Sequence, residues 1–183
     1  MKHLFGLAIV VLTLTVSAHA QDTKMVGGAA MYPTKNIVEN AVNSKDHTTL
    51  VAAVKAADLV DVLQSNGPFT VFAPTNEAFN MLPQGAVDNL LKPENKAQLQ
   101  TVLKYHVVPG KISAMDLTQM IKNNGGKATL KTVEGDNLYA SLDKEGNVWI
   151  WDENGGKAMV TIADVNQSNG VIHVIDHVLM PKM

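Results

Sequence analysis

The spacing of apolar residues predicts helices over the first two thirds of the chain. Leu50, Val51, Val54 and Ala57 follow the i, i+1, i+4, i+7 spacing of a single helix face. Together with capping residues, this pattern predicts helices that begin near Thr34, Leu50, Thr75, Gln84, Pro93 and Ser113. The helix after Pro93 carries its apolar face as far as His106, and Ser113 with Asp116 resembles a capping box.

The C-terminal third is predicted to be rich in strands. Runs of β-branched residues bounded by turn residues predict strands over 128–133, 137–142, 147–152, 158–165 and 170–179. Earlier in the chain, the apolar run 69–73 predicts a short buried strand that Pro74 ends. Residues 124–128 and 154–158 share the sequence Asn-Gly-Gly-Lys-Ala, a turn that leads into a strand each time. Helices first and strands later predict an α+β domain.

Three segments, 67–79, 105–110 and 169–181, occur in an order that resembles the signatures of the fasciclin-like domain family. The motif positions expected to support the fold are Phe72, Pro74, Thr75, Asn76, Phe79, Gly170, His173 and Asp176. The resemblance extends from about Thr34 to Pro181. It implies a compact β-sandwich or wedge of short strands flanked by helices, as in secreted and cell-surface adhesion proteins. It also implies a binding module rather than an enzyme.

The N-terminus has the features of an export signal. Residues 1–20 contain Lys2 and His3, then a mostly apolar stretch, then Ala18-His19-Ala20 in the small-x-small form of a cleavage site. We expect cleavage before Gln21, then a flexible leader over 21–33, whose residues are mostly small or polar and include Gly27-Gly28, and then the domain over 34–183. The expected location is periplasmic or extracellular, without a stable membrane anchor.

Composition narrows the function classes. Removal of residues 1–20 would leave 163 of the 183 residues, about one domain, which can bury roughly 70% of its unfolded surface. The sequence has no cysteine, so no disulfide can form. All fifteen basic residues are lysines and the net charge is −2. Because arginine is the usual bidentate donor to phosphate and guanine, nucleic-acid binding is disfavoured.

Two histidines suggest a metal site at first sight. His173 and His177 flank Asp176 at i and i+4, the spacing of helical zinc motifs. The surrounding β-branched residues predict a strand, in which these positions lie about 13 Å apart. One zinc ion needs both nitrogens at about 2.1 Å. We therefore predict neither a metal site nor a cofactor.

Three other polar residues have two interpretations each. Asp176 is either a general acid or base, or a structural acceptor that ties the strand to a loop, and the lack of a nucleophile motif favours the second. In the resembled family, a pair such as Tyr105-His106 is associated with receptor recognition. Alternatively, both rings pack where the helix meets the sheet, as the apolar stripe ending at His106 favours.

Trp149 and Trp151 are the main candidates for a recognition surface. In a strand they share one face, while Val148, Ile150 and Asp152 share the other. By the resemblance, the valine and isoleucine should face inward. The tryptophans are then either packed under other elements or form a stacking platform for sugars or proteins.

These observations predict a secreted, monomeric adhesion module without a catalytic site. The expected partner is a cell-surface or matrix protein, or a polysaccharide. One alternative is a periplasmic carrier of a small apolar ligand, which needs an internal pocket among the helices. A less favoured alternative is a hydrolase, which needs Asp176 and a histidine to converge in an open cleft.

Overall fold

The computed structural model describes residues 23–182, and the predicted signal peptide lies outside the described residues. The strands are β1 (Lys24–Val26), β2 (Ala29–Met31), β3 (Phe69–Pro74), β4 (Val107–Pro109), β5 (Lys127–Lys131), β6 (Asn137–Leu142), β7 (Val148–Trp151), β8 (Lys157–Gln167) and β9 (Gly170–Ile175). The α-helices are α1 (Ile37–Ala41), α2 (Thr48–Ala56), α3 (Val60–Gln64), α4 (Asn76–Asn80), α5 (Ala86–Leu90), α6 (Lys96–Tyr105) and α7 (Ala114–Asn123), with 3-10 turns at Lys45–His47 and Pro93–Asn95.

Strands β3 to β9 form one sheet in the order β4-β3-β9-β8-β7-β6-β5. Strand β3 runs parallel to β9, and every other neighbouring pair is antiparallel. Beyond β5, the Val133 N–H donates to the carbonyl of Val107 in β4 at 2.8 Å. This bond joins the two outer strands, so the sheet is nearly closed into a wedge. The α+β fold predicted from the sequence is confirmed.

The two faces of the sheet bury separate apolar clusters. Val71 and Ala73 of β3 face the first cluster, which α1, α2, α3 and α6 cover. Phe72, between them, faces the second cluster, in which Leu117 and Ile121 of α7 pack against the inner side of β5 to β8. Strand β9 lies between β3 and β8 and is buried along its whole length, as its β-branched sequence predicts.

Capping residues set most helix starts. Ser113 and Asp116 form the predicted capping box at the start of α7. The Thr75 hydroxyl accepts from the Ala78 N–H at 3.3 Å and caps α4, also as predicted. The first helix is capped by Asn36 with Glu39 and not by Thr34. An asparagine is as good an N-cap as a threonine, and Glu39 stands at the third helical position that a capping box requires.

Two boundaries differ from the sequence predictions. The segment 21–33, expected as a flexible leader, contains the antiparallel hairpin β1–β2, and Val26 and Met31 are buried in the first cluster. Gly27 and Gly28 both have positive φ, at 57° and 74°, which suits the two-residue turn of a hairpin. The predicted strand 170–179 ends at Ile175. Beyond it, the Leu179 N–H donates to His106 and the Met180 N–H donates to Asp152.

Candidate recognition surface

The motif residues near β3 support the fold. Phe72 is fully buried in the second cluster, and Phe79 is buried on α4 after Pro74 has ended the strand. Asn76 joins two segments through its side chain. Its carboxamide oxygen accepts from the Thr49 N–H at 3.0 Å, and its Nδ2 donates to the Lys45 carbonyl at 2.8 Å. These contacts fix the start of α2 against α4.

Gly170 allows β9 to approach β3 closely. A Cβ at this position would lie 2.0 Å from the Phe69 carbonyl oxygen, so any other residue would separate the two strands. Asn169, just before it, is buried and donates through Nδ2 to the carbonyls of Leu63 and Ser65, both at 2.8 Å. The sequence analysis did not single out Asn169, although a polar residue directly before a buried strand indicates a side chain that bonds to the backbone of a neighbouring loop.

His173 is a buried structural histidine. Its Nε2 donates to the Ile112 carbonyl at 2.9 Å, and its Nδ1 accepts from the Asp164 N–H at 3.2 Å. Burial lowers the pKa of His173, which suits this neutral tautomer. His177 lies beyond the strand end, is exposed, and donates to Asp176 at 2.8 Å. Among residues 23–182, no group of three or more histidine, cysteine or acidic side chains is arranged to hold a metal ion.

Asp176 joins the end of β9 to β8. Its Oδ1 accepts from the Met159 N–H at 2.7 Å and from His177. The first of these bonds satisfies a strand N–H group at the point where β8 and β9 diverge. This geometry favours the structural interpretation of Asp176 over the catalytic one.

Tyr105 and His106 are packed between α6 and the sheet. Tyr105 is 0% exposed; its hydroxyl donates to the Asn137 carbonyl at 2.8 Å and accepts from the Glu153 N–H at 3.2 Å. Burial raises the pKa of Tyr105 to about 12. His106 is 3% exposed, and burial lowers its pKa to about 4. A partner cannot touch either side chain without a change in the fold, so the geometry favours the packing interpretation.

The hydrogen bonds of His106 define its tautomer. Its Nδ1 donates to the Val102 carbonyl at 2.8 Å, and its Nε2 accepts from the Leu179 N–H at 3.0 Å. Only a neutral imidazole can donate at one nitrogen and accept at the other. His106 therefore links the end of α6 to the C-terminal segment.

Trp149 and Trp151 lie on the outer side of the sheet. They are partly exposed, whereas Val148 and Ile150, which alternate with them along β7, are buried in the second cluster with α7, as expected. Tyr139 on β6 pairs with Trp151, and Lys157 on β8 pairs with Trp151 from the other side. The outer side thus carries three aromatic rings in adjacent rows.

Internal hydrogen bonds hold both indole rings. Trp149 Nε1 donates to Asp143 Oδ2 at 3.0 Å, and Trp151 Nε1 donates to Ser141 Oγ at 2.8 Å. The hydrogen bond from Trp149, with those from Asn147 and the nearby backbone, lowers the pKa of Asp143 to about 2. With their N–H groups engaged, the tryptophans present ring surface, not hydrogen-bond donors, to the solvent.

Two lysines lie over these rings. The Nζ of Lys127 is 3.9 Å from the ring centre of Tyr139, and the Nζ of Lys157 is 4.9 Å from that of Trp149 and 5.5 Å from that of Trp151. Such distances give favourable cation–π contacts. We call Lys127, Tyr139, Trp149, Trp151 and Lys157 the aromatic–lysine face.

The repeated turn sequence builds this face. In each Asn-Gly-Gly-Lys-Ala segment, the alanine (Ala128 or Ala158) is buried in the second cluster. Because side chains alternate along a strand, the lysine before it points outward. Sequence reasoning treated the two segments only as turns and missed the lysines. The alternation was a usable signal, but which rings the lysines cover depends on the strand register.

An open depression of about 440 Å³ borders the aromatic–lysine face. It is lined by Lys127, Tyr139, Trp151, Asp152, Glu153, Gly155 and Lys182. Asp152 is buried, with Oδ1 accepting from the Gly156 N–H at 2.7 Å and Oδ2 from the Met180 N–H at 3.0 Å. The depression is open to solvent, and its lining combines aromatic and charged side chains.

A second cavity lies inside the first apolar cluster. Its volume is about 80 Å³, and apolar side chains of the hairpin, α1 to α3, β3 and α6 dominate its lining. His47 also borders it, is buried, and has an Nε2 without a hydrogen-bond partner, while its Nδ1 lies 2.9 Å from the Ser44 hydroxyl. Burial lowers the pKa of His47, and a weaker interaction with the Ala73 backbone opposes this shift.

The elements described above form an α+β domain with a nearly closed, seven-stranded sheet. A model of the Fasciclin domain family matches residues 45–181. The chain therefore belongs to the fasciclin domain family, whose members are generally adhesion-type proteins and not catalysts.

Similar proteins come from bacteria and animals. Protein sll1483 of Synechocystis sp. is 45% identical over 179 residues, which cover 98% of this chain and 92% of that one. Immunogenic protein MPB70 of Mycobacterium bovis is 33% identical, covering 96% and 91%. Human periostin is 34% identical over 136 residues, which cover 74% of this chain but 15% of periostin.

The fold also matches a solved structure. A domain pair from the insect cell adhesion molecule fasciclin I matches with a TM-score of 0.70 at 22% identity, covering 80% of this chain and 51% of the pair. This likeness concerns the fold. Within residues 23–182, no helix has both the length and the apolar character needed to cross a membrane.

Proposed function

We propose that this chain is an exported, non-enzymatic adhesion module that binds its partner through the aromatic–lysine face. The partner class is a cell-surface or matrix protein, or a polysaccharide. The observation that carries the proposal is the pair of partly exposed tryptophans on the outer side of β7, held in place by Asp143 and Ser141. Aromatic anchors of this kind often dominate binding energy at recognition surfaces.

Membership of the fasciclin family supports an adhesion role for this chain. The sequence of residues 1–20 supports export to the periplasm or beyond. The burial of Tyr105 and His106 directs the proposal to the tryptophans instead of the pair that the family resemblance suggested. Asp176, which a hydrolase would use, accepts from a strand N–H group and from His177 on the surface, and it lines neither of the two cavities described above.

The alternative carrier function has weaker support. The internal cavity is apolar, as a carrier requires, but its volume of about 80 Å³ is small. A dry cavity of about 150 Å³ is the size that admits benzene. A carrier of lipids or larger apolar ligands would therefore require the helices around the cavity to separate.

The proposal is tested by retention of the exported chain on immobilised fibronectin, collagen, cellulose and polygalacturonate. We expect retention on at least one coat and a loss of about 5- to 150-fold in affinity for Trp149→Ala/Trp151→Ala, the scale of two aromatic anchors. Tyr32→Ala is the matched control, because Tyr32 is also an exposed aromatic residue with a lysine, Lys35, over its ring. Tyr32 does not belong to the aromatic–lysine face.

Folding must be separated from binding in this experiment. The melting temperature of each variant is measured, and Trp149→Thr/Trp151→Thr offers a second variant that keeps high strand propensity. Equal retention of wild type and folded tryptophan variants on every coat would overturn the proposal. So would a wild-type chain that none of the four coats retains.

A further inference from the structure

Among residues 23–182, the lysines of the aromatic–lysine face have no anionic partner within salt-bridge distance. Within the described part of the chain, the salt bridges join Lys96 to Asp58 and His177 to Asp176, and neither involves Lys127 or Lys157. Contact with an aromatic ring attracts an ammonium group but does not neutralise its charge. Both lysines are exposed, so an anion from solution can reach them.

The acidic residues beside this face are held by other groups. Both carboxylate oxygens of Asp152 accept backbone N–H groups, and Glu153 Oε1 accepts from the Asn137 N–H at 3.3 Å. Asp143 accepts from Trp149 and from Asn147. These carboxylates stabilise turns and the indole rings instead of pairing with the lysines. The charges that lie directly over the rings are therefore the two ammonium groups, although the whole chain is slightly negative.

The aromatic groups indicate what kind of anion fits. The flat, apolar surface of an indole or phenol ring complements the C–H face of a pyranose sugar. Peptides are instead held by hydrogen bonds to a sheet edge or by anchors in deep grooves. The tryptophans lie on β7, an interior strand with β6 and β8 on its two sides, and the adjacent depression is open.

We infer that the aromatic–lysine face binds an acidic polysaccharide that contains uronate residues. Its carboxylates pair with Lys127 and Lys157 and draw these flexible side chains off the rings, and its sugar rings then stack on Trp149, Trp151 and Tyr139. Strands β5 and β8 are three inter-strand spacings apart, about 14 Å, so a chain of several sugars can reach both lysines. The inference rests on the proposed function, because it names the partner class for the same surface.

The test is isothermal titration of the exported chain with polygalacturonate at low and high salt. We expect binding that weakens as salt rises, because exposed charge pairs are screened. We expect about a tenfold or greater loss of affinity in Lys127→Gln/Lys157→Gln. The matched control is Lys35→Gln/Lys122→Gln, which removes two positive charges elsewhere on the chain. One of them, Lys35, also lies over an aromatic ring, that of Tyr32. This variant should bind like the wild type.

Four outcomes would overturn the inference. They are no binding of polygalacturonate, undiminished binding by folded Lys127→Gln/Lys157→Gln, equal binding of an uncharged galactan, and equal binding of polyglutamate. The last would point to an acidic polypeptide. If polygalacturonate fails but the tryptophan variant still loses retention on another coat, the proposed function stands without this inference. If the tryptophan variant loses nothing, the proposed function fails as well.

Discussion

The neutral state of His106 should make the stability of the fold depend on pH. In the unfolded chain a histidine has a pKa of about 6.5, whereas burial lowers that of His106 to about 4. Between these values the unfolded state binds more protons than the folded state. Stability from this residue is therefore fully present above about pH 6.5 and is lost as the pH falls towards 4.

The magnitude follows from the two pKa values. One pKa unit corresponds to about 1.4 kcal/mol, so lowering the pH from 7.5 to 4.5 should remove about 2–3 kcal/mol of the free energy of unfolding through His106 alone. Replacement by alanine removes this dependence. At pH 7.5, His106→Ala should cost about 1–3 kcal/mol, because the Leu179 N–H and the Val102 carbonyl lose their partner.

The assay is urea unfolding of the wild type and His106→Ala at pH 7.5 and pH 4.5. Acidic residues and the other histidines titrate in both proteins, so the difference between them isolates His106. The stability advantage of the wild type should shrink by about 2–3 kcal/mol at the lower pH, so that little or none of it remains. Parallel pH dependence of the two proteins would refute the reasoning, since the imidazole would then not be held neutral.

Two further predictions concern the fold and export. Gly170→Ala should cost more than about 2 kcal/mol of unfolding free energy, because its Cβ would collide with the Phe69 carbonyl. Gly155→Ala is the comparison, because Gly155 has a positive φ but open space around it. Both variants are unfolded with denaturant, and an equal loss of unfolding free energy in the two would contradict the collision argument. The exported product should begin at Gln21 by intact mass, and a product that retains Met1 would show an uncleaved segment.

Local signals in the sequence predicted most elements of the fold. The Ser113 capping box, the Thr75 cap and the buried run that begins at Gly170 depend on residues close together in the chain, and each is present in the structure. The hairpin β1–β2 was missed because Gly27-Gly28 was interpreted as a sign of flexibility. A pair of glycines indicates equally well a tight turn between two short strands.

The candidate site was only half predictable, for a physical reason. Strand alternation placed Trp149 and Trp151 on one side without reference to the rest of the fold. The positions of Lys127 and Lys157 over the rings depend on how four strands align with one another. That alignment is set by turns and by core packing at a distance, which single-chain patterns do not report.

The bond between Val133 and Val107 has a consequence for aggregation. A strand with unpaired backbone groups is a template on which other chains can assemble. Here the outer strand β4 spans three residues, ends in proline and is joined across the gap to the segment after β5. The domain can therefore be concentrated with little tendency to aggregate edge to edge, a property that the proposed adhesion role would require.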